Sequence, residues 1–394
     1  MQKSTLDYYH LKPRASALRC GVIFLIAAFA GLSSPESAQA FDCGSTGANG
    51  AMNVTSNVTL QLPPDGIFNC TTITVAQGAT LTFSNNVMNT PVYLLATGDV
   101  LINGSIDVGG AIVFGLTSDP GQAGPGGYNG GFGGINYFGQ DKGGDGLGPG
   151  GGKANGQYGA YATAGYGGNT NTYGSLLLTP LIGGSGAGGS DGTPGLGGAG
   201  GGGAILIASN TKVNISGSVN AVGGMQNYRY PGSGGAIRVV APVVSGNGTL
   251  NADAGSWNSA QAGKGRVRID CMDSQAYLKL LTIGITSRGS HMIVFPTNAP
   301  VLDIIGVAEN AIPQGTNSPV FFELPTGGNT NQPVVVQAWN FTKDVPIRVV
   351  VTPRNAPSVA FDATILQSSG NPPFAVVPVI IPAGSICEIN AWTR

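Results

Sequence analysis

The chain has 394 residues, 66 of them glycine and only 9% charged, and 18 Lys and Arg against 19 Asp and Glu give a formal net charge of −1. Beyond residue 40 the balance is 14 basic to 17 acidic residues, with no basic cluster to recommend nucleic acid and no block of like charge to form an electrostatic tail. The length admits two domains.

Lys3, Lys12, Arg14 and Arg19 precede a short apolar run over Gly21–Gly31, and the polar stretch after it ends in Ala-Gln-Ala at residues 38–40. This is the layout of a secretory signal peptide, spanning 1–40, with the mature chain starting at Phe41. No later apolar stretch approaches the roughly 20 residues needed to cross a bilayer. Cys43, Cys70, Cys271 and Cys387 remain after processing. An even count in an exported chain favours disulfides, and of three connectivities Cys43–Cys70 with Cys271–Cys387 ties down each end of the chain.

The next residues read as short strands: "VTSNVTLQL", "TTITV" and "ATLTF". Three longer stretches then share one grammar: "VYLLATGDVLINGSIDVGG" (Val92–Gly110), "AILIASNTKVNISGSVNAVGG" (Ala204–Gly224) and "AIRVVAPVVSGNGTLNADAG" (Ala236–Gly255). Each has an apolar strand, a polar break, a second strand, an Asn-Gly or Ser-Gly step, a third strand and a glycine turn. A shortened copy, "GRVRIDC", begins at Gly265, and the steps from Ile205 to Ile237 and on to Val267 are 32 and 30 residues. Alternation inside each strand and a near-constant period between copies describe a solenoid of stacked parallel strands, about five rungs over Asn53–Asp270. A right-handed coil follows from the general preference of parallel crossovers.

Between the first and second copies, residues 111–203 hold 36 of the 66 glycines together with Tyr128, Phe132, Tyr137, Phe138, Tyr158, Tyr161, Tyr166 and Tyr173. Two states are open for this insert: a flexible loop, or extended glycine runs hydrogen-bonded to one another, which chains without side chains can approach closely enough to form. Its rings, if exposed, would stack on sugar faces; turned inward, they would give the insert a small core.

Past Arg288 glycine thins and proline punctuates the chain. "VLDIIGVA", "PVFFELP", "QPVVVQAWNF", "VPIRVVVTP", "SVAFDATIL", "FAVVPVIIPAG" and "ICEINAWTR" read as about seven strands of a β-sandwich. "RGSHM" at Arg288–Met292 matches a common tag scar, but its internal position marks it as native. The division expected is a solenoid domain over 41–285 and a sandwich over 286–394.

Candidates for chemistry are few. Glycoside hydrolysis needs two carboxyl groups straddling a sugar, yet the mature chain has no glutamate before Glu309, leaving Asp99, Asp107, Asp253, Asp270 and Asp273 scattered along the coil. His291 is the one histidine after cleavage and sits in a linker without a nucleophile-elbow context. Asp145 and Asp191 sit in segments faintly like calcium-binding nonapeptides, with the wrong residue after the aspartate. No catalytic constellation, metal site or cofactor is expected.

The segments "GGGGAILIA", "GSGGAIRVVA" and "GKGRVRID" resemble exported bacterial proteins with glycine-rich parallel β-helix repeats, some of them adhesin-like; the likeness covers about Asn53–Asp270. The insert separately resembles, in composition, the polyglycine-II sandwiches of phage tail-tip adhesins. The resemblance implies surface attachment and brings no catalytic residue with it. The expectation is therefore an all-β chain made of a short right-handed parallel β-helix with a large glycine-rich insert and a C-terminal β-sandwich, secreted or held at the cell surface. Its role would be adhesive or structural, with the eight aromatic residues of the insert as candidate contacts for a polysaccharide or cell-surface glycan. Two rival readings stand beside it: a polysaccharide lyase or hydrolase on the same scaffold, and a matrix component that self-associates.

Overall fold

The computed structural model describes residues 40–134, 142–192, 194–226, 230–257, 260–273, 277, 279–316, 318–321, 323–324, 328–354 and 356–394. The expected signal peptide therefore lies outside the described residues, as do Tyr137 and Phe138. Residues 40–394 form one compact unit. It is all-β: the described residues contain 28 strands and no helix.

Three parallel sheets occupy the first part of the chain. The first holds β1 (Met52–Val54), β4 (Ile73–Val75), β7 (Val100–Ile102), β11 (Lys212–Ile215) and β15 (Val243–Ser245), in that order. The second runs β3 (Ile67–Cys70), β6 (Val92–Ala96), β10 (Ala204–Ser209), β14 (Ala236–Val240), β19 (Arg266–Asp270) and β21 (Ile285–Gly289). The third runs β2 (Val58–Gln61), β5 (Thr80–Ser84), β8 (Ser105–Asp107), β12 (Ser218–Asn220), β16 (Thr249–Asn251) and β20 (Leu281–Ile283). The chain visits the sheets in rotation and moves one place along each sheet per round, until the last round, β20 and β21, which adds no strand to the first sheet. The spacing of the sequence copies is the register of this pairing: Val92, Ile205, Ile237 and Val267 are lateral neighbours. The parallel strands continue past residue 285, because "RG" of "RGSHM" closes β21 against β19.

Period-2 alternation sends one set of side chains from all three sheets into a common core. Ile73, Ile102 and Val213 come from the first sheet, Leu94, Ile205 and Ile237 from the second, and Leu81, Ile106 and Leu250 from the third. Each such aliphatic side chain contributes about 1.5–3 kcal/mol by leaving water. Tyr277 and Leu280 join the same core at its C-terminal end.

Glycine makes the corners. Gly203, Gly235 and Gly265 each stand just before a strand of the second sheet. A Cβ on Gly235 would lie 1.9 Å from the Gly203 oxygen, and one on Gly265 would lie 2.1 Å from the Gly235 oxygen. Those oxygens accept bonds from Ala236 N and Arg266 N, both at 2.9 Å. Between the first and third sheets the same contact recurs at Gly217, whose Cβ would sit 1.8 Å from the Gly104 oxygen. The neighbouring turn of chain fills the space a side chain would need, so the glycine runs before each strand are a packing requirement.

The insert is packed, and the flexible-loop alternative does not hold for its described residues. Its glycine runs lie mostly outside regular strands and bond laterally to several neighbours at once. Gly184 N donates to Gly202 O at 2.7 Å, Gly202 N to Ser233 O at 2.8 Å, Gly131 N to Ala187 O at 2.9 Å and Gly198 N to Gly131 O at 2.8 Å. The insert starts beside a short ribbon, β9 (Ile112–Val113) paired with β13 (Met225–Gln226), and a second ribbon joins β17 (Ser256–Trp257) to β18 (Ala260–Gln261). Tyr161, Leu178 and Leu181 of the insert pack on Leu95, Leu206 and Val240, covering the outer face of the second sheet.

The C-terminal strands are antiparallel. One sheet runs β23 (Asn310–Ala311), β22 (Val301–Val307), β24 (Asn331–Trp339), β27 (Phe374–Ile380), and the other β26 (Val359–Ile365), β25 (Val345–Pro353), β28 (Cys387–Thr393). Val334, Val336 and Val379 of the first share a core with Ile347, Val349 and Ile365 of the second. "PVFFELP" contributes no strand among its described residues, and the short β23 takes the seventh place. Trp392 of β28 meets Tyr128 of the insert edge-on, with ring centroids 5.6 Å apart.

Neither expected disulfide is formed; all four thiols are free. Cys70 points into the common core, whereas Cys43 packs with Leu95, Leu206 and Ala208 on the opposite face of the second sheet. Cys43 Sγ donates instead to Ala96 O at 3.3 Å. Cys271 lies in the core of the parallel sheets and Cys387 against that of the antiparallel ones, so sequence position near a chain end was no guide to proximity.

Gly235→Ala is expected to lower stability by about 3 kcal/mol or more, since backbone must move to admit the methyl. Gly306→Ala, whose added Cβ would meet Val335 at 3.5 Å and Asn310 O at 3.6 Å, both ordinary contacts, is expected to change it by less than about 1 kcal/mol. Urea denaturation midpoints of the two variants check the contrast.

Candidate functional site

The aromatic residues expected to meet a ligand are mostly turned inward. Tyr161 is buried, donates from its hydroxyl to Ile182 O at 2.9 Å, and packs on Tyr173 with centroids 4.5 Å apart. The Tyr173 hydroxyl donates to Gly183 O at 2.6 Å and accepts from Ser185 Oγ at 2.8 Å. Arg266 lies over the Tyr161 ring at 5.6 Å and donates from Nη2 to Tyr173 O at 2.9 Å. Tyr158 is buried beside Tyr166 and Tyr230, and Phe132 is half-buried. Tyr166, 59% exposed, is the described ring of the set most open to solvent. These rings serve as the apolar filling of a glycine framework that has no side chains of its own to pack.

Burial pushes the Tyr128 hydroxyl up to about 12. Tyr161 and Tyr173 are raised further, by burial first and then by the neighbouring tyrosine hydroxyls.

The candidate acids are engaged in holding the fold. Asp270 is 0% exposed and lies on the outer face of β19 between two arginines, of which Arg238 is 1% exposed. It accepts from Arg268 Nε at 2.9 Å, from Arg238 Nη2 at 3.3 Å and from His291 N at 2.9 Å. Arg238 Nη2 also donates to His291 O at 3.0 Å and Ile293 O at 2.8 Å, which fastens the segment after β21 across the second sheet. A buried carboxylate between two guanidinium groups is a structural clamp with no route to a substrate. Asp253 pairs with Lys264 at 3.6 Å, and Asp99 with Lys212 at 3.1 Å; the Thr211 hydroxyl and then Lys212 hold the Asp99 carboxyl below its usual range. Asp145 pairs with Lys153, and Asp191 accepts from Gly143 N at 2.8 Å. Asp273 is exposed. No group of three or more His, Cys, Asp or Glu side chains that could hold a metal ion occurs among the described residues.

The outer face of the third sheet is polar, regular and open over its first five strands, and the sixth, β20, continues the two rows with Leu281 and Ile283. Its strands place Thr59, Thr82, Asp107, Asn220 and Asn251 side by side in register. Two residues earlier on each strand, Thr80, Ser105, Ser218 and Thr249 form a second row. Strands about 4.8 Å apart and alternate residues about 6.6 Å apart make this a grid some 19 Å long. Neighbouring groups bond across it: Thr59 Oγ1 to Thr82 Oγ1 at 2.7 Å, Ser105 Oγ to Ser218 Oγ at 3.0 Å, and Asn220 Nδ2 to both serines at 3.2 Å. Asp107 accepts from Gly109 N at 2.8 Å.

A groove of about 400 Å³ follows one side of the grid. Polar Thr82, Asn85 and Asp107 line it together with Phe83 and Val108 and with Ala111, Ile112 and Pro125, where the insert leaves the array. It meets a second hollow of about 290 Å³ at Thr82, lined by Asn57, Thr59 and Thr80. The sequence carries a signal for this face that aromatic residues drew attention from: Ser-Ile-Asp, Ser-Val-Asn and Thr-Leu-Asn occupy the same place in successive copies. No helix among the described residues is long and apolar enough to cross a membrane. Comparison with known proteins found no match to any family model, curated protein or solved structure.

Tyr128, with its raised ionisation, predicts an alkaline sensitivity. Between about pH 10 and pH 12 the unfolded chain has released a proton that the native state still holds, so stability falls as pH rises. Tyr128→Phe is expected to shrink the loss between pH 9 and pH 11; urea midpoints at both values, compared with the parent, measure it.

Proposed function

We propose that the three parallel sheets wind around their core as a right-handed parallel β-helix, that the glycine runs pack beside it as a polyglycine-II-like slab, and that the antiparallel sheets form a β-sandwich. We propose further that the protein is exported and acts at the cell surface or in the extracellular matrix as an adhesive protein that binds without reacting. The single observation that carries this reading is the fixed grid of hydroxyl and amide groups on the third sheet, which has no second carboxylate, histidine or free nucleophile beside Asp107. Export is supported by the signal-peptide layout of residues 1–40, and the inward turn of Tyr158 and Tyr161 favours the grid over the insert as the contact surface.

The purified chain from Phe41 onward is expected to sediment with at least one of insoluble cellulose, chitin and peptidoglycan, leaving no new reducing ends or unsaturated sugars in the supernatant. Release of either product would replace adhesion with polysaccharide cleavage. Removing residues 111–203 is no control, because it strips the cover from Leu206 and Val240.

One observation favours self-association as a second role. β27 is the edge of its sheet, and Phe374, Val376 and Ile380, the last two 55% and 54% exposed, alternate along one side of it. Those exposed apolar side chains form a face on which another copy can pack. Sedimentation velocity is expected to show concentration-dependent dimers that Val376→Lys abolishes; a monomer at all concentrations would exclude it.

A further inference from the structure

We propose that the grid and its groove are a docking site for a linear, uncharged polysaccharide, laid across the strands of the third sheet with one edge against Ile112. The proposal rests on the adhesive reading and assigns it a place and a ligand chemistry.

The first ground is which face is open. The outer face of the second sheet is covered by the insert and by the segment after β21, whereas Asp107 and Thr59 on the third sheet are exposed. A protein strand would be recruited at a sheet edge, where backbone groups are unpaired. The middle of this face offers only side chains, so its partner must be read through hydroxyl and amide hydrogen bonds.

The second ground is order. A hydroxyl group offers one donor and two acceptor sites, and a carboxamide two of each. Lateral bonds at Thr59–Thr82 and Asn220–Ser105–Ser218 use part of that capacity and hold the groups in place. The remainder faces outward already oriented, which lowers the entropy lost on binding. A repeat of about 4.8 Å presents similar groups at each step, and a polymer with a short regular repeat of hydroxyls can engage several steps together.

The third ground is charge and shape. Asp107 is the one ionisable side chain among the nine of the grid, so an anionic polymer gains nothing there and a cationic one very little. Ile112, 55% exposed, lines the same groove as Thr82 and Asp107. A sugar ring has hydroxyls at its rim and C–H groups on its faces, and a groove lined by both polar and apolar side chains can meet both.

The test is affinity electrophoresis of the chain from Phe41 onward through gels cast with hydroxyethyl cellulose, xylan or galactomannan, and through gels cast with alginate or polygalacturonate. The parent is compared with Thr82→Val/Asn220→Ala, with Ile112→Arg, which blocks the groove from the insert side, and with Thr74→Val/Asn214→Ala on the outer face of the first sheet. Retardation in at least one neutral gel is expected, unchanged in 0.5 M salt. It should weaken at least tenfold in the first two variants and persist in the third. Equal retardation of all variants would place the site elsewhere and overturn the proposal while leaving adhesion standing. Retardation in the anionic gels alone would overturn the ligand chemistry. Sedimentation with an insoluble polymer that survives both grid variants would likewise remove the grid, and absence of binding to every soluble and insoluble polymer would end both readings. Near-ultraviolet circular dichroism identical to the parent's certifies each variant as folded, and Ile112→Arg, at an exposed position, keeps the test available if the double variant is destabilised.

Discussion

Contact between a carbonyl oxygen and the bare Cα of a glycine on the next turn of chain is the constraint on which this structure depends. It fixes how tightly successive rounds can stack at the corners, and Gly203, Gly235 and Gly265 show that no methyl group fits between them. Lateral hydrogen bonds of the three sheets then follow in register, and the apolar residues of all three meet in one core. The same contact, repeated without intervening strands, builds the insert. There the glycine runs carry no side chains, and their stability must come from backbone hydrogen bonding and from the tyrosines and leucines that pack beside them.

That dependence divides the molecule into surfaces with different duties. The second sheet is sandwiched between the core and the insert, and its outer face carries the buried Arg238–Asp270–Arg268 clamp that fixes the segment after β21. Two buried guanidinium groups around one carboxylate are costly to desolvate, so the clamp favours one arrangement of that segment over others more than it adds net stability. The third sheet has its outer side free, and it is there that polar groups repeat.

Much of the fold was legible in the sequence because its determinants are local and periodic. Strand, break and glycine turn recur at 30–32 residues, and Ile205, Ile237 and Val267 pair as that spacing requires. The array runs further than the copies indicated, because "LTI" and "ITSRG" are short strands with little of the repeat grammar around them. Cysteine pairing failed on geometry: whether Cys43 and Cys70 share a face is set by strand parity and by where the N-terminal segment lies, which composition does not encode. The rings of the insert were legible as a set but their direction was not. Tyr161 turns inward because Leu206 and Ala208, far away in sequence, need a cover. The polar grid was written in the outward positions of each third strand, but residue types as ordinary as Ser, Thr and Asn announce a surface only when register sets them in rows.

The insert also leaves and rejoins the array at a single point. Gly203 N donates to Val108 O at 2.7 Å, and Gly110 lies against Gly200 and Gly201. The two ends of a segment of more than 90 residues are therefore neighbours, and its length is uncoupled from the period on either side. A residue gained or lost within a strand would shift its parity and turn core side chains outward, so the 32- and 30-residue steps from Ile205 to Ile237 and on to Val267 differ only between strands. The glycine-rich segment carries no such arithmetic. Its length answers only to its own packing and to the cover it gives Leu206 and Val240, while the array beneath it keeps its count.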